Sequence, residues 1–292
     1  MYWGTENGKE TGLVGSVKSV QIEVANYLNQ DNESIISAQQ LQQIINYDIN
    51  GRKIEELNYD INNVSSKSLF SYDPEGKLTQ VVISAKSNSL IRKSQYTYES
   101  HKVVQIDFDS MGTIIGKIIQ ILNENGQLQE AYHYDDSGQP LIKILPRYDD
   151  KGALTEIAFY TCSLQPTIAL QKQGNNEQVT WREAKDFTPI NHNNGLLLSR
   201  YVFERSQDGR IRQENIYDNL DVQTKKIISH FDQADNIIEF IEYGPDNSLL
   251  NRETFDYEYD FNGNWIVQVK SKLNDSNSIE PFTILYRTIT YY

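Results

Sequence analysis

Side chains that commonly carry out catalysis are few in this 292-residue chain. They are four histidines (His101, His133, His192 and His230) and a single cysteine, Cys162. No HxH, HExxH or cysteine–histidine cluster occurs, although nucleophilic or metal chemistry needs such partners. His133 and His230 lie just before turn aspartates, at strand positions opposite tyrosines, which favours solvent-facing side chains over ligands or bases. Cys162 is expected to be a small buried side chain. We therefore predict no catalytic residue, no cofactor and no bound metal.

The chain has 40 acidic against 27 basic residues and a net charge of -13. So many carboxylates make two further kinds of chemistry worth considering, glycoside hydrolysis and calcium binding. A glycosidase needs two facing carboxylates, and calcium needs several oxygen ligands. A turn role competes with both, since Asp side chains cap tight turns. The recurring turn aspartates are Asp48, Asp73, Asp109, Asp135, Asp149, Asp218, Asp232 and Asp260. The segment 260–264 resembles part of a calcium loop but lacks the distal glutamate of an EF-hand, so we favour the turn role.

Charge and hydropathy exclude other classes. The basic residues form no stripe, and the densest group is the pair Lys225 and Lys226, so we expect no nucleic-acid partner. Mean hydropathy is -0.58, which leaves no room for a bundle of membrane helices, and we expect no membrane insertion. The first twenty residues have no basic segment followed by an apolar run, so they predict no targeting signal.

One short pattern, aromatic-Asp-x-x-Gly-x-x-aliphatic, recurs along the chain. Its copies are YDINGRKI (47–54), YDPEGKL (72–78), FDSMGTI (108–114), LNENGQL (122–128), YDDSGQPL (134–141), YDDKGAL (148–154), RSQDGRI (205–211), FDQADNII (231–238) and YDFNGNWI (259–266). The Asp or Asn nucleates a turn, and Gly supplies a backbone with positive φ. Residues that alternate between apolar and polar types flank each copy of the pattern, so we predict tight β-hairpins. Further turn centres are expected near positions 62, 88, 101, 221 and 247.

The spacing of these turns, roughly 11 to 14 residues, fits one strand plus one turn. Strands joined so closely must pair antiparallel. We predict an all-β, extended antiparallel meander of roughly 18 to 22 strands, with residues 1–292 as a single repeat domain. The repeats cover approximately 45–160 and 200–270, and an irregular insert covers 161–200. Residues 34–46 are predicted as strand, and the final run 283–292 as a strand that seals an edge or pairs with a partner.

The words YDPEGKLTQV, YDINGRKIEE, YDDKGALTEI and YEYDFNGNWIVQV resemble the YD repeats of the RHS type, found in bacterial RHS and insecticidal-toxin proteins and in teneurins. The resemblance covers about two thirds of the chain. It implies a secreted or cell-surface scaffold that encloses or presents another polypeptide, or that contacts carbohydrate. The chain is much shorter than large RHS proteins and lacks their core block with its self-cleaving aspartates. We therefore expect tandem YD-type hairpins in a twisted, curved sheet that is open or partly closed.

Tyrosine is abundant, with 19 residues, and tyrosines recur two positions apart at strand ends. Such pairs share one face of a strand. A covered face would be core, whereas an uncovered face would be an aromatic platform for a protein partner or for sugar rings. The candidate binding surface comprises Tyr96, Tyr98, Tyr132, Tyr134, Trp181, Tyr257, Tyr259 and Trp265.

Three functions follow as hypotheses. The first is a non-enzymatic scaffold that binds or shields another polypeptide or displays an interaction surface, with a homodimer through edge strands as a further expectation. The second is carbohydrate binding through exposed Tyr and Trp side chains. The third is a glycan hydrolase with its site in the insert, near Trp181, Arg182, Asp186 and His192.

Overall fold

The computed structural model describes residues 12–30, 33–61, 63–162, 195–274 and 277–292. Nineteen strands form over these residues: β1 (Val17–Gln30), β2 (Glu33–Ile36), β3 (Gln40–Tyr47), β4 (Lys53–Asp60), β5 (Asn63–Tyr72), β6 (Leu78–Ala85), β7 (Leu90–Glu99), β8 (Lys102–Phe108), β9 (Ile114–Leu122), β10 (Leu128–Tyr134), β11 (Pro140–Tyr148), β12 (Leu154–Thr161), β13 (Leu197–Arg205), β14 (Ile211–Tyr217), β15 (Gln223–Phe231), β16 (Ile237–Tyr243), β17 (Leu249–Tyr259), β18 (Trp265–Leu273) and β19 (Ile279–Tyr291). Most of the predicted insert, with Trp181, Arg182, Asp186 and His192, lies outside the described residues. The predicted all-β meander is confirmed.

The sheet closes on itself. Each strand from β3 to β19 pairs antiparallel with the next, and β1 pairs with β19 on one side and with β3 on the other. Eighteen strands therefore form a closed barrel, and β2 pairs with β1 outside that ring. The expectation of an open or partly closed sheet is wrong. Closure gives the two end strands of the meander hydrogen-bonded partners that they would otherwise lack.

All nine repeat words form the predicted turns. In the first, the Gly51 amide donates to the Asp48 carbonyl at 2.9 Å, and the Asp48 amide donates to the carbonyl of Arg52 at 2.9 Å. The Asp48 side chain accepts from the amides of Asn50 and Arg52, both at 2.9 Å. Where the fourth turn position is not Gly, Asn or Asp takes the positive φ; these residues are Asn88, Asp221, Asp235, Asn247 and Asn277. Both residue types tolerate this backbone conformation better than other side chains do.

Gly263→Val is expected to destabilise the protein by more than about 1 kcal/mol, because Gly263 has φ +87° and a β-branched residue is strained there. A Cβ at this position would meet no atom within 4 Å, so backbone strain is the cause under test. Urea denaturation measures the change. Phe261→Val is the matched control, since the Phe261 side chain in the same turn is 92% exposed. An equal unfolding midpoint for both variants would contradict the turn assignment.

Hydrophobic packing is concentrated where the ring closes. A cluster of buried side chains joins β1 and β3 and packs against the preceding segment and β19. Its members are Val17, Val20, Ile45 and Tyr47, with Leu13, Ile22, Ile289 and Tyr291 against them. Elsewhere in the described barrel, most strand side chains are only half-buried on either face. A hydrophobic core therefore stabilises the closing seam, where β1 pairs with β3 and β19. The rest of the barrel wall does not fold around such a core.

Candidate functional site

The predicted tyrosines lie on two opposite faces of the barrel wall. Tyr98 pairs with Val103, which pairs with Gln120. Gln120 pairs in turn with Ala131, so Ala131 shares the face of Tyr98. Tyr132 follows Ala131 in the chain and points to the other face. Continuing around the ring, the face of Tyr98 also carries Tyr96, Tyr257, Tyr259 and Trp265, whereas Tyr132 and Tyr134 lie together on the other. The candidate residues therefore do not form one surface.

Burial identifies the face of Tyr98 as the inside of the barrel. On β7, Ser94 is buried and Tyr98 half-buried on this face, whereas Gln95 and Thr97 on the opposite face are exposed. Side chains on the concave side of a closed wall crowd together. Burial accordingly raises the pKa of Tyr98 and of Tyr257. We call this face the inner wall and the face of Tyr132 the outer wall.

Several inner-wall tyrosines hold neighbouring hairpins together. Their hydroxyl groups reach back to the carbonyl of the first residue of the preceding strand. These bonds run from Tyr72 to Lys53 at 2.6 Å, from Tyr98 to Leu78 at 2.9 Å and from Tyr257 to Ile237 at 2.7 Å. The repeat thus uses the hydroxyl to tie consecutive turns, which is a structural role. The rings remain half-exposed and can still contact a ligand.

The densest aromatic group of the inner wall surrounds Trp265. The Arg287 guanidinium lies 3.4 Å from the centre of the indole ring, and the Tyr257 ring centre lies 6.0 Å from it. Tyr259 is exposed beside them, with its ring 6.1 Å from that of Tyr257. Partial burial and a 2.8 Å hydrogen bond to Asp232 raise the pKa of Tyr259 to about 12. This group is a fixed aromatic and cationic platform, suited to stacking rather than to proton transfer.

The outer-wall tyrosines are covered by cations. The Lys117 ammonium lies 4.5 Å from the centre of the Tyr134 ring, and Lys143 lies 5.5 Å from that of Tyr132. The same arrangement recurs at other strand ends: Lys93 with Phe108, Arg200 with Tyr217, and Lys226 with Tyr243. Each such pair contributes about 0.5–1 kcal/mol at exposed sites. These contacts stabilise strand pairing on the outer wall.

A buried polar cluster on the inner wall was not predicted from the sequence. The Asp107 carboxylate accepts hydrogen bonds from Arg92 at 2.5 Å, from Ser94 at 2.5 Å and from Gln105 at 3.0 Å. Asp107 is buried, and these donors supply the partners that a buried carboxylate requires. The sequence signal that could have indicated this cluster is the spacing of its polar residues, two positions apart at 92 and 94 and again at 105 and 107. The cluster joins β7 to β8 through the Asp107 carboxylate.

The histidines and the cysteine lie apart from one another. His133 is half-buried on the inner wall rather than solvent-facing as expected, and burial lowers its pKa. His230 contacts Glu239 on the outer wall, with Nδ1 3.0 Å from a carboxylate oxygen. Cys162 is half-buried, which raises the pKa of its thiol. Within the described ranges, no group of three or more His, Cys, Asp and Glu side chains could hold a metal ion.

Acid is expected to destabilise the barrel. Hydrogen bonds from Ser137 and from the Gln139 amide hold the pKa of Asp135 below its ordinary value, so the contribution of Asp135 is lost below about pH 4. His133 favours its neutral form in the folded state, so its protonation opposes folding as pH falls below about 6.5. Thermal unfolding at pH 7, 5 and 3 should show a falling midpoint. His133→Gln should reduce the fall in the thermal unfolding midpoint between pH 7 and pH 5. A wild-type midpoint that does not change from pH 7 to pH 3 would contradict this expectation.

Net charge is concentrated at the two rims of the barrel. The nineteen strands carry 18 basic and 17 acidic residues, which nearly cancel. The connecting turns carry the acidic excess. At the rim where β1 leads into β2, the charged residues of the turns that the structure describes are Asp109, Asp135, Asp136, Asp218, Asp221, Asp246 and Lys86. A field of this kind attracts cationic ligands over about a Debye length.

No protein-family model matches this chain, and no curated protein matches it. Three solved structures show distant likenesses. A porin-like protein from Bacteroides uniformis ATCC 8492 matches at 11% identity with a TM-score of 0.47, covering 95% of this chain and 98% of that one. TcdB2-TccC3-TEV matches at 12% identity and a TM-score of 0.26, covering 86% of this chain and 16% of that one. A putative outer membrane lipoprotein-sorting protein domain from Vibrio parahaemolyticus matches at 11% identity and a TM-score of 0.26, covering 95% and 86%. Likenesses this weak establish no shared function.

In the part of the chain that the structure describes, no helix is long and apolar enough to cross a membrane.

Proposed function

We propose that this chain is a non-enzymatic scaffold that binds another polypeptide on the inner wall of its barrel. One observation carries the proposal: the ring of strands closes, yet away from the closing seam its inner wall is lined mostly with half-buried aromatic and polar side chains rather than packed into a core. Barrels of about 16 to 18 strands have an interior that their own side chains do not fill. Such an interior has room for an extended segment of a partner.

The chemistry of the inner wall supports a polypeptide as partner. Phe255 and Tyr96 offer rings to apolar side chains, and Gln120 offers an amide to a peptide group. The resemblance to YD repeats of the RHS type implies the same kind of partner, together with a secreted or cell-surface location. Both belong to the proposal.

The test uses a ribonuclease unfolded by reduction and alkylation, with native ribonuclease of the same sequence as the folded control. Fluorescence anisotropy of the labelled ribonuclease should report binding of the unfolded form only. Tyr96→Ala combined with Tyr257→Ala should weaken binding about tenfold, a loss typical of central contact residues. Tyr132→Ala on the outer wall, also a half-buried strand tyrosine, should change it less than twofold. Equal binding of native ribonuclease, or equal losses from both walls, would overturn the proposal.

Carbohydrate binding is the second candidate, favoured by the group around Trp265. An exposed tyrosine beside a tryptophan stacked on Arg287 presents ring faces and hydrogen-bonding groups together, as sugar rings require. A glycan array with wild-type protein and Trp265→Ala tests this candidate. Binding to a defined glycan that is lost in Trp265→Ala would support it, and silence across the array would remove it.

A further inference from the structure

The first hairpin of the chain extends past the barrel. β1 loses its partner on β19 after Asn26 but continues to Gln30. This extension pairs with β2, with Tyr27 across from Ile36. We call the paired segments 27–30 and 33–36 the arm. The arm stands on the rim that carries the acidic turns described above.

Among the described residues, β2 pairs with β1 alone, and its outer edge has no strand beside it. The Ser37 amide donates to the Asn26 carbonyl at 2.9 Å, so position 37 points its backbone groups at β1. Backbone groups alternate in direction along an antiparallel strand, so Ile35 also points at β1 and Ile36 points away. No described strand pairs with the edge that Ile36 faces. An edge of this kind is a template for strand addition.

Apolar side chains flank this edge. Leu28 and Ile35 lie across from each other on one face of the arm, and both are exposed. Ile36 is exposed on the opposite face. Exposed apolar residues on an unpaired edge favour a partner that supplies both a backbone and side chains.

The charge around the arm selects the partner. β19 pairs with β1 and β4 pairs with β3, and these two strands carry the exposed acidic residues Glu280 and Asp60 at this rim. With the acidic turns of the same rim, they repel a second copy of this chain and attract a cationic segment.

We propose that the arm captures an extended, basic polypeptide segment, which adds as a strand to the outer edge of β2. This rests on the proposed function, since it names the chemistry and entry point of the polypeptide partner. Backbone hydrogen bonds supply the affinity, the exposed apolar side chains of the arm receive alternate partner side chains, and the acidic rim receives basic ones.

The test measures anisotropy of a fluorescein-labelled twelve-residue peptide of alternating Val and Lys. The peptide of alternating Val and Glu is the charge control, and the Val-Lys peptide N-methylated at alternate amides is the backbone control. The Val-Lys peptide should bind at least tenfold more tightly than either. Ile36→Pro removes the outward amide without removing a bond to β1, and it should weaken binding at least tenfold. Ile36→Val is the matched variant and should change binding less than twofold.

Equal binding of the two charge-reversed peptides, or unchanged binding by Ile36→Pro with an unchanged thermal midpoint, would overturn the arm proposal. The two proposals fail separately. If the inner wall is not a binding surface, Tyr96→Ala with Tyr257→Ala leaves unfolded ribonuclease binding intact, while Ile36→Pro still reduces peptide binding. If the arm is not the entry point, Ile36→Pro has no effect on the peptide, while the inner-wall variant still loses ribonuclease.

Discussion

Val20→Asp is expected to lower the free energy of unfolding by more than about 4 kcal/mol. Val20 is 1% exposed, and β1 pairs it with Ile289 on one side and with Ile45 on the other. An aspartate there would be an uncompensated buried charge within the one hydrophobic cluster of the described barrel. Because β1 joins the first and last strands of the meander, the damage falls on ring closure itself.

Urea denaturation followed by far-ultraviolet circular dichroism measures this loss. Val14→Asp is the matched control, because Val14 lies six residues earlier with its side chain 52% exposed, and it should cost less than about 1 kcal/mol. A Val20→Asp protein that unfolds at the wild-type urea concentration would contradict the packing of the seam.

Asn264→Ala is expected to cost about 2–3 kcal/mol. Asn264 is 1% exposed, and its side chain accepts from the Val14 amide at 2.6 Å and donates to the Val14 carbonyl at 2.8 Å. It also donates to the Tyr291 hydroxyl at 2.8 Å. One amide therefore ties the segment before β1 to the last strand and to a repeat turn, and its removal leaves backbone groups of Val14 without these partners.

Gln139→Ala is the control for Asn264→Ala, because Gln139 occupies the equivalent position four residues after the turn aspartate but is exposed. It should change the unfolding free energy by less than about 0.5 kcal/mol. Similar costs for the two variants would show that Asn264 acts only within its own turn and not as a tie to the chain's beginning.

Local signals predicted the hairpins because each turn is specified by a few adjacent residues. Each Asp-x-x-Gly motif predicted the turn that it forms. The predicted turns centred near 88, 221 and 247 also formed, with Asn or Asp at positive φ. The turn beginning at Asn274 was missed because it has neither the aromatic residue nor the glycine, and Asn277 takes the glycine's place. Strand 34–46 formed as β2 and β3.

Closure was not predictable in this way. It depends on the pairing of Val17 with Tyr291, two residues at opposite ends of the chain, and no local pattern specifies that register. The alternation of the final run identified a strand able to seal an edge, but not which edge it would seal.

The six candidate tyrosines lie on strands, as their spacing of two positions predicted, but the face that each occupies depends on strand registers summed around the ring. Tyr98 and Tyr132 occupy similar sequence contexts and still point to opposite walls. The cations over Tyr132 and Tyr134 lie on neighbouring strands, beyond the reach of a local motif.

Ring closure is tested most directly by a cross-link across the seam. The Ser19 and Thr290 hydroxyl oxygens lie 2.5 Å apart on adjacent strands, so cysteines at both positions can form a disulfide. In a Cys162→Ala background, Ser19→Cys with Thr290→Cys should oxidise almost completely, seen by mass spectrometry as the loss of two hydrogens. Ser19→Cys with Ser84→Cys, on a distant strand, should stay reduced. Two free thiols in the seam variant under the same oxidant would contradict the closed barrel.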